Sequence, residues 1–499
     1  MERTIEQRYA DLLRGGTDNS PLAAPGYKFS MAQAGYPLRR ESFYLHYRRG
    51  GALFIPFDFK KVIEELRPRL PDSREQGFLL ANGYGFTPAM EAALRGELKV
   101  GAQKKGTWAN EHEPVAVPRG PSFLVSWFED LIIAFHYPMQ IATAILDGVT
   151  KFTATCEDEK EIILLVNESL GEPHGGLNVT VDEASYRKHL REKLRFLNVA
   201  LDGDIHRAFE VGTRSMACMA QHRIVLEECK AAGINRTANV KLAYDLYMIP
   251  VGTTGHEHQM RHGADIDGFR AVRDQRPEPP SYLFDTYDPE KVGIPAAIQA
   301  MLEDRVRNCS VRFDSGDQCK QLRMFRAAEQ EHGIHPFYLF MDGYDDERVA
   351  EMESLIKELQ VDPKQQGYVW GLAQKDCHYG MGSYFVDTED TVFTRSRVAM
   401  VYKLTTTGGP GYDGEMGRRN VLKYSGSPGK ESLPGLLFVL VAYNGDRYIC
   451  QEGEGFKPPS GFRRDGGTNI QRPTNPSILS PATLALIEQC RVRDFGGTN

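Results

Sequence analysis

Two charged residues at the end of one predicted strand have the types and the spacing needed to bind a phosphorylated sugar. Residues 309–313 (Cys-Ser-Val-Arg-Phe) have strand character, and the Asp-Ser-Gly-Asp that follows is typical of a turn. Arg312 can form a forked pair of hydrogen bonds with a phosphate. Asp314, two residues later and on the same side of the strand, can accept hydrogen bonds from ribose hydroxyls or hold Mg²⁺. Because Asp-Ser-Gly also occurs in ordinary turns, the motif alone leaves both interpretations open.

A histidine follows another predicted strand, in the turn Gly-Thr-Thr-Gly-His at 252–256. In that position His256 can serve as a base, a metal ligand or a phosphoryl acceptor. With His258 and His262 it also offers a rival interpretation as a metal cluster, although H-x-H-x-x-x-H matches no common structural zinc site. The third alternative is a histidine that is merely exposed in a loop.

Two further strand ends carry residues suited to anion binding or to positioning the histidine. Gly380 and Gly382, followed by Ser383, would let backbone N–H groups approach a phosphate, or would simply form a tight turn. Asp285, which begins the segment Asp-Thr-Tyr-Asp, could orient the imidazole through its second ring nitrogen or cap the helix that follows.

The order of the elements that carry these residues predicts an α/β fold. Between about residues 160 and 400, short strands are each followed by a polar or Gly-rich turn and then by a helical pattern, as at 318–330 and 347–359. This alternation implies a parallel sheet with crossover helices. Polar turns after many strand ends favour a barrel whose active face gathers those turns.

The segments on either side differ from this middle region, so we expect three parts. These are an N-terminal α/β domain at 1–160, a catalytic α/β barrel at 161–400 and a C-terminal segment at 401–499. The first part contains an apolar stretch at 123–144 that is predicted to be one buried helix. The last part contains a predicted β-hairpin that turns at Asn444 and Gly445.

Composition excludes several classes of protein. The 499 residues are 41% hydrophobic and 25% charged, with a net charge of −7, so the chain lacks the basic excess typical of a nucleic-acid binder. The longest apolar runs are about eight residues, well short of the ~20 that a membrane span needs. No apolar leader follows Met1, and none of the eight cysteines forms a C-x-x-C pair. We therefore expect a cytoplasmic enzyme with reduced thiols.

Taken in order, the motifs resemble those of the nicotinate/nicotinamide phosphoribosyltransferase family over residues 27–435. The segments that carry the resemblance are Gly-Tyr-Lys-Phe-Ser-Met at 26–31, Trp-Phe-Glu-Asp-Leu at 127–131, Tyr-Pro at 137–138, Gly-Thr-Arg at 212–214, Arg-Thr-Ala-Asn-Val at 236–240, Gly-Thr-Thr-Gly-His-Glu at 252–257, the three later strand ends described above, Lys403 and residues 423–435. The resemblance implies an irregular type II phosphoribosyltransferase barrel beside an α/β domain formed from both chain ends, the C-terminal segment packing with the N-terminal domain.

The resemblance also implies roles around the phosphates. ATP would phosphorylate His256, which couples ATP hydrolysis to nucleotide formation, and Asp285 would orient the imidazole ring. Arg312 and Asp314 would hold the ribose and phosphates of phosphoribosyl pyrophosphate, which binds with Mg²⁺. The residues expected to bind substrate near its 5′-phosphate are Gly343, Gly380, Gly382 and Ser383.

For the pyridine ring, the resemblance implies that Tyr27 stacks on it from the other subunit of a homodimer and that Arg214 lies against the ring or its carboxylate. Nicotinamide-using relatives place a carboxylate at the position of Ala238, where it accepts from the amide and would repel nicotinate. Arg236 and Ser215 depart from the family pattern. We therefore expect a nicotinate phosphoribosyltransferase of NAD salvage. The alternatives are a nicotinamide phosphoribosyltransferase, or a catalytically silent relative that binds pyridine or nucleotide.

Overall fold

The protein is described by a computed structural model that covers residues 3–276, 279–304, 308–359, 376–408, 419–424, 432–457 and 472–495. Its central feature is a seven-stranded parallel sheet, and the strands in chain order are Ala208–Glu210, Arg236–Thr237, Ile249–Pro250, Ser281–Leu283, Ser310–Phe313, Phe337–Phe340 and Cys377–Met381.

The sheet curls into an open barrel. Consecutive strands are neighbours except for the third and fourth, and the seventh strand pairs with the first, with Tyr379 opposite Ala208. The third and fourth strands lie at the two edges and are not paired with each other in the described part of the chain. The α/β barrel expected from the alternating pattern is therefore confirmed, with an opening between Ile249–Pro250 and Ser281–Leu283.

Stacked aromatic side chains fill the core beside the central strands. Phe313 and Phe340 have ring centroids 4.8 Å apart, and Tyr379 lies 5.5 Å beyond Phe340. All three are fully buried. The packing of these aromatic side chains fixes the strands relative to one another. Side chains alternate between the two faces of a strand, so the residues at the strand ends have fixed positions and directions.

The helices fall into two groups along the chain. Those of the first 150 residues are Ile5–Arg14, Gly26–Gln33, Phe59–Glu65, Ser73–Ala81, Pro88–Arg95, Ser122–Trp127, Glu129–Ile133 and His136–Leu146. Those of the barrel region and the C-terminus are Glu157–Ser169, Glu183–Ala200, Met219–Ala232, Val240–Leu246, His256–His262, Asp265–Gln275, Ile294–Glu303, Gln318–His332, Asp346–Leu359, Ser383–Val386, Arg395–Val398 and Pro481–Phe495, with shorter turns at Ile205–Arg207, Gly212–Ser215 and Pro289–Gly293. None of the helices described is long and apolar enough to cross a membrane.

A five-stranded antiparallel sheet joins the two ends of the chain. Its strands, in spatial order, are Arg419–Asn420, Val401–Thr407, Arg40–His46, Ala116–Pro121 and Lys99–Ala102. This sheet confirms the α/β domain formed from both chain ends. The domain limits at residues 160 and 400 remain predictions.

Three small sheets complete the strands. Leu53–Phe54 pairs with Trp108–Ala109, and Lys151–Ala154 pairs with Asn178–Val181. The hairpin expected near residue 444 is present, because Leu437–Val441 pairs antiparallel with Arg447–Gln451; the latter also pairs with Ile478–Leu479.

The apolar stretch at 123–144 is buried as expected but is not one helix. It forms the three helices Ser122–Trp127, Glu129–Ile133 and His136–Leu146. Pro138 explains the start of the third, because proline has no N–H to continue an earlier helix and is tolerated in a first turn. The break places Glu129 at the beginning of a short helix.

Candidate functional site

Four strand ends of the barrel meet around one cavity of about 370 Å³, which we call the anion cavity. Its lining includes His256, Asp314, Gly343, Gly380, Gly382 and Ser383. Residues from distant parts of the sequence are thus brought together, because parallel strands deliver their carboxyl ends to the same edge of the sheet. The individual roles of these residues remain predictions.

His256 lines this cavity and contacts polar groups through both ring nitrogens. Its Nδ1 is 3.3 Å from Thr286 Oγ1 and 3.8 Å from Asp285 Oδ1. Its Nε2 is 3.2 Å from Asp314 Oδ2 and 2.9 Å from Lys423 Nζ. Asp285 is therefore placed near the ring, as expected, but Thr286 is the closer partner.

The surroundings of His256 favour the neutral imidazole. Burial lowers the pKa of His256 below its ordinary value, and the charge of Lys423 lowers it further, while Asp285 and Asp314 oppose the shift. A neutral imidazole keeps a ring nitrogen lone pair with which to attack phosphorus. Asp314 stays ionised, because Arg312 and His256 outweigh its burial and hold the pKa of its carboxyl well below the usual range.

Arg312 is held rigidly beside this histidine. Its Nη1 donates to Thr253 Oγ1 at 2.9 Å and to the carbonyl oxygen of Thr254 at 3.0 Å, while its Nη2 donates to Asp314 Oδ1 at 2.8 Å. A guanidinium fixed by three bonds can meet a ligand without much loss of side-chain freedom. Arg312 and His256 thus share the carboxylate of Asp314.

The wall of the anion cavity is crowded with positive charge. The cationic residues that line it are Arg48, Arg49, Arg214, Arg395, Lys403 and Lys423. Removal from water, followed by the charges of Lys423 and Arg48, lowers the pKa of Lys403 well below its ordinary value. The pKa of Arg395 falls to about 10, through burial and then through Arg214 and Arg48. Such crowding is relieved by a bound polyanion.

A second cavity of about 290 Å³, which we call the base cavity, adjoins the first. Val211, Arg214 and Met341 line both. The base cavity is also lined by Tyr27, Asp130, Thr213, Ala238, Ser281 and Arg312. The structure therefore brings together Tyr27, Arg214 and Ala238, the three residues expected at a pyridine ring. Arg312 lines this cavity rather than the anion cavity, which it meets through its bond to Asp314.

Tyr27 belongs to the base cavity of its own chain. It lies in the helix Gly26–Gln33, and its hydroxyl donates to Glu129 Oε2 at 2.9 Å. Lys28, which is completely buried, joins Glu129 and Glu257 at 2.5 Å each. This network holds the helix against the barrel. The cavity thus has an aromatic wall without a second subunit, while the homodimer remains a prediction.

One group of side chains has the atoms to hold a metal ion. His256, Asp285 and Asp314 each place a ligand atom within 4.8 Å of the others. Asp285 Oδ1 is buried and has no hydrogen-bond partner among the described residues, so a carboxylate oxygen is available. Two carboxylates beside a cationic cavity are oxygen ligands of the kind that Mg²⁺ prefers. The rival cluster of His256, His258 and His262 does not form in the described structure, since His258 Nε2 faces the carbonyl oxygen of Gly268 at 3.0 Å.

Three solved structures with a similar fold are described as nicotinate phosphoribosyltransferases, one of them as a putative one. The enzyme from Vibrio cholerae has a TM-score of 0.57 at 18% identity, covering 84% of this chain and 92% of its own. That from Porphyromonas gingivalis has a TM-score of 0.56 at 17% identity, covering 83% and 95%. A putative one from Saccharomyces cerevisiae has a TM-score of 0.56 at 14% identity, covering 83% and 94%.

At these identities the likeness shows the fold alone, so the chain shares the architecture of these solved structures. No family model and no curated protein sequence matches the chain. The expected resemblance is thus confirmed at the level of structure. The chemistry has to be argued from the residues of the two cavities.

Several residues of the cavities have no local signal in the sequence. Arg48 and Arg49 follow the strand Arg40–His46, and Arg395 begins a four-residue helix. Nothing in their neighbourhoods distinguishes them from surface arginines. Asp130 lies in the family-like segment at 127–131, but its residue type alone does not place it in a cavity. Their placement depends on how the two ends of the chain meet the barrel.

Proposed function

We propose that this protein is a nicotinate phosphoribosyltransferase. It would transfer the phosphoribosyl group of phosphoribosyl pyrophosphate to the ring nitrogen of nicotinate and release pyrophosphate, as in NAD salvage. The observation that supports this most strongly is the junction of the two cavities. A crowded cationic cavity suited to phosphates adjoins a smaller cavity lined by Tyr27, by three arginines and by one carboxyl group, that of Asp130.

In the transfer itself, the C1–oxygen bond to pyrophosphate breaks as the bond from the pyridine nitrogen to C1 forms. Positive charge develops on the ribose, so no protein nucleophile has to attack carbon. Asp314 would accept hydrogen bonds from ribose hydroxyls, and the cations of the anion cavity would hold the pyrophosphate as it leaves. Mg²⁺, which Asp285 and Asp314 could hold, would supply charge neutralisation to that leaving group.

Coupling to ATP belongs to the same proposal. Neutral His256 would accept the γ-phosphoryl group of ATP, forming a nitrogen–phosphorus bond while ADP leaves, and water would later release phosphate. The phosphoryl group would lie near Lys423 and Asp314, the partners of Nε2. Added negative charge at that point would change the affinity of the anion cavity for substrate and product.

For the base, nicotinate is favoured by two features of the base cavity. Arg214 lines it and can pair with a carboxylate, and Ala238 brings no negative charge. Arg312, in the same wall, has a buried Nε without a partner among the described residues, which is a further donor for an anionic ring substituent.

The proposal is tested by supplying nicotinate and nicotinamide side by side, each with phosphoribosyl pyrophosphate, Mg²⁺ and ATP, and by measuring the mononucleotide formed. We expect nicotinate mononucleotide to form faster, and His256→Ala to abolish the effect of ATP. A preparation that uses only nicotinamide would overturn the choice of substrate. A preparation that binds both bases but forms neither mononucleotide would support the silent-relative alternative.

A further inference from the structure

The base cavity contains a buried carboxyl group that nothing in the described structure satisfies. Asp130, in the helix Glu129–Ile133, is 2% exposed, and neither of its carboxylate oxygens has a hydrogen-bond partner among the described residues. Leaving a buried polar group unpaired is unfavourable, and more so for a charged group. Since Asp130 lines the base cavity, a bound ligand is the natural source of the missing bond.

Other unpaired polar atoms lie in the same wall. Thr213 Oγ1, Ser281 Oγ and Arg312 Nε are buried without a partner among the described residues, and all three side chains line the base cavity. Buried polar atoms are nearly always satisfied in folded proteins, so a cluster of exceptions indicates a site for a polar ligand. Asp130 is the acid of this cluster.

The charged groups that act on Asp130 come from four elements. Glu129 precedes it in the same helix, Arg214 lies in the turn Gly212–Ser215, Lys28 in Gly26–Gln33 and His222 in Met219–Ala232. Burial, followed by Glu129, raises the pKa of the Asp130 carboxyl to about 7, while the three basic groups oppose that shift. Near neutral pH, both the protonated and the ionised carboxyl are therefore populated.

The position of Asp130 affects whether the base cavity prefers nicotinate or nicotinamide. Ala238 lines the same cavity and offers no carboxyl group there, whereas Asp130 provides one from the helix Glu129–Ile133. A protonated carboxyl donates to a carboxylate, whereas an ionised carboxyl repels it and accepts from an amide N–H₂.

We propose that Asp130 is the specificity-determining residue of the base cavity, and that its protonated form donates a hydrogen bond to the carboxylate of nicotinate while its ionised form favours nicotinamide. This inference rests on the proposed function, since it takes a pyridine base as the ligand. It adds that the preference between the two bases changes with pH, through one side chain.

Binding, rather than turnover, tests this inference. Nicotinate and nicotinamide are titrated calorimetrically into the protein with Mg²⁺ and pyrophosphate present, at about pH 6 and about pH 8.5, which bracket the pKa of Asp130. We expect the preference for nicotinate over nicotinamide to fall about tenfold or more between these values. Asp130→Asn should make the preference independent of pH, because an amide neither ionises nor changes its hydrogen-bonding capacity.

Glu159→Gln is the matched control. Glu159 is also buried and its pKa is also raised by burial, but it accepts from Thr155 and does not line the base cavity. Its variant should keep the pH-dependent preference. Should Asp130→Asn fail to fold, the unmodified protein still decides the question, because nicotinate binding near pH 7.5 should take up protons and nicotinamide binding should not, when measured in buffers of different ionisation enthalpy.

A preference that does not change with pH in the unmodified protein, or that still changes in Asp130→Asn, would overturn the inference, as would the absence of binding by either base. The proposed function fails separately. If both bases bind with an Asp130-dependent preference but no mononucleotide forms, the assignment of Asp130 stands and the enzymatic activity does not.

Discussion

Lys423 Nζ lies 2.9 Å from His256 Nε2, so a cation from the C-terminal part of the chain contacts the ring at the strand ends of the barrel. His256 Nε2 also lies 3.2 Å from Asp314 Oδ2. Besides burial, which lowers the pKa of His256 most, two opposite charges at this nitrogen therefore act on that pKa. This arrangement makes the pH dependence of any reaction at His256 sensitive to both neighbours.

We predict that Lys423→Met and Asp314→Asn move the acidic limb of His256 phosphorylation in opposite directions. His256 reacts when neutral, so its activity is lost as pH falls through its pKa. Lys423 lowers that pKa, and its removal moves the limb to higher pH; Asp314 raises it, and Asp314→Asn moves the limb to lower pH. Shifts of about one pH unit are expected.

The measurement is the initial rate of phosphorylation by labelled ATP across a pH series. Lys320→Met is the control, because Lys320 is exposed and pairs with Glu290 away from the cavity. Shifts in the same direction for Lys423→Met and Asp314→Asn would show that the ring is not held between these two charges.

Arg312→Ala should weaken the use of the base more than the use of phosphoribosyl pyrophosphate. The guanidinium lines the base cavity and not the wall of the anion cavity. Loss of a hydrogen bond to a charged group costs about 1.5–3 kcal/mol, which is about ten- to a hundredfold in affinity. We expect the KM for nicotinate to rise by about that factor, with a smaller change for the second substrate. Arg323→Ala, an exposed pair with Glu358, should change neither. A larger effect on the KM for phosphoribosyl pyrophosphate would support the role in phosphate binding that the sequence predicts for Arg312.

Ala238→Asp should shift the preference of the enzyme toward nicotinamide. The variant adds a carboxylate to the wall of the base cavity, where it accepts from the amide and repels nicotinate. A change of about tenfold in the ratio of the two kcat/KM values is expected, since one repulsive charge contributes on the order of 1–2 kcal/mol. Ala238→Ser, which adds a polar group without charge, is the control. An unchanged ratio in Ala238→Asp would show that position 238 does not read the ring substituent.

A mixture of Tyr27→Ala and His256→Ala proteins should not regain activity. In this structure both residues serve cavities of one chain. If Tyr27 instead completed the site of the other subunit, each mixed dimer formed on refolding together would contain one intact site. Activity would then return to about a quarter of the wild-type value or more. The experiment measures mononucleotide formation after the two variants are refolded together, with each refolded alone as the baseline. Recovery of activity would contradict completion of the site within one chain.

The sequence predicted the barrel and its strand ends because those features are local. Strand, turn and helix follow one another within about thirty residues around Arg312 and around Met341, and each turn carries its own polar residues. His256 and Asp314 could be expected to meet, since parallel strands share an edge. The break in the 123–144 stretch could not be read from apolar character alone, which is the same for one buried helix and for three.

The cationic wall and the acid of the base cavity were harder to predict. Arg395 and Lys403 approach the barrel only because Val401–Thr407 pairs with Arg40–His46 across more than three hundred residues of chain. Such pairing depends on tertiary packing rather than on local pattern. The lack of hydrogen-bond partners at Asp130 could not be predicted from the sequence, because it depends on the packing of every element around that side chain.

The central claim is that His256 receives a phosphoryl group in a site that transfers phosphoribose to a pyridine base. Its most direct test is incubation with ATP labelled at the γ-phosphate, followed by addition of phosphoribosyl pyrophosphate, Mg²⁺ and nicotinate. We predict an acid-labile label on the protein that is absent from His256→Ala, and its release as phosphate while nicotinate mononucleotide and pyrophosphate accumulate. Label that persists in His256→Ala, or a labelled protein that never forms mononucleotide, would contradict the account.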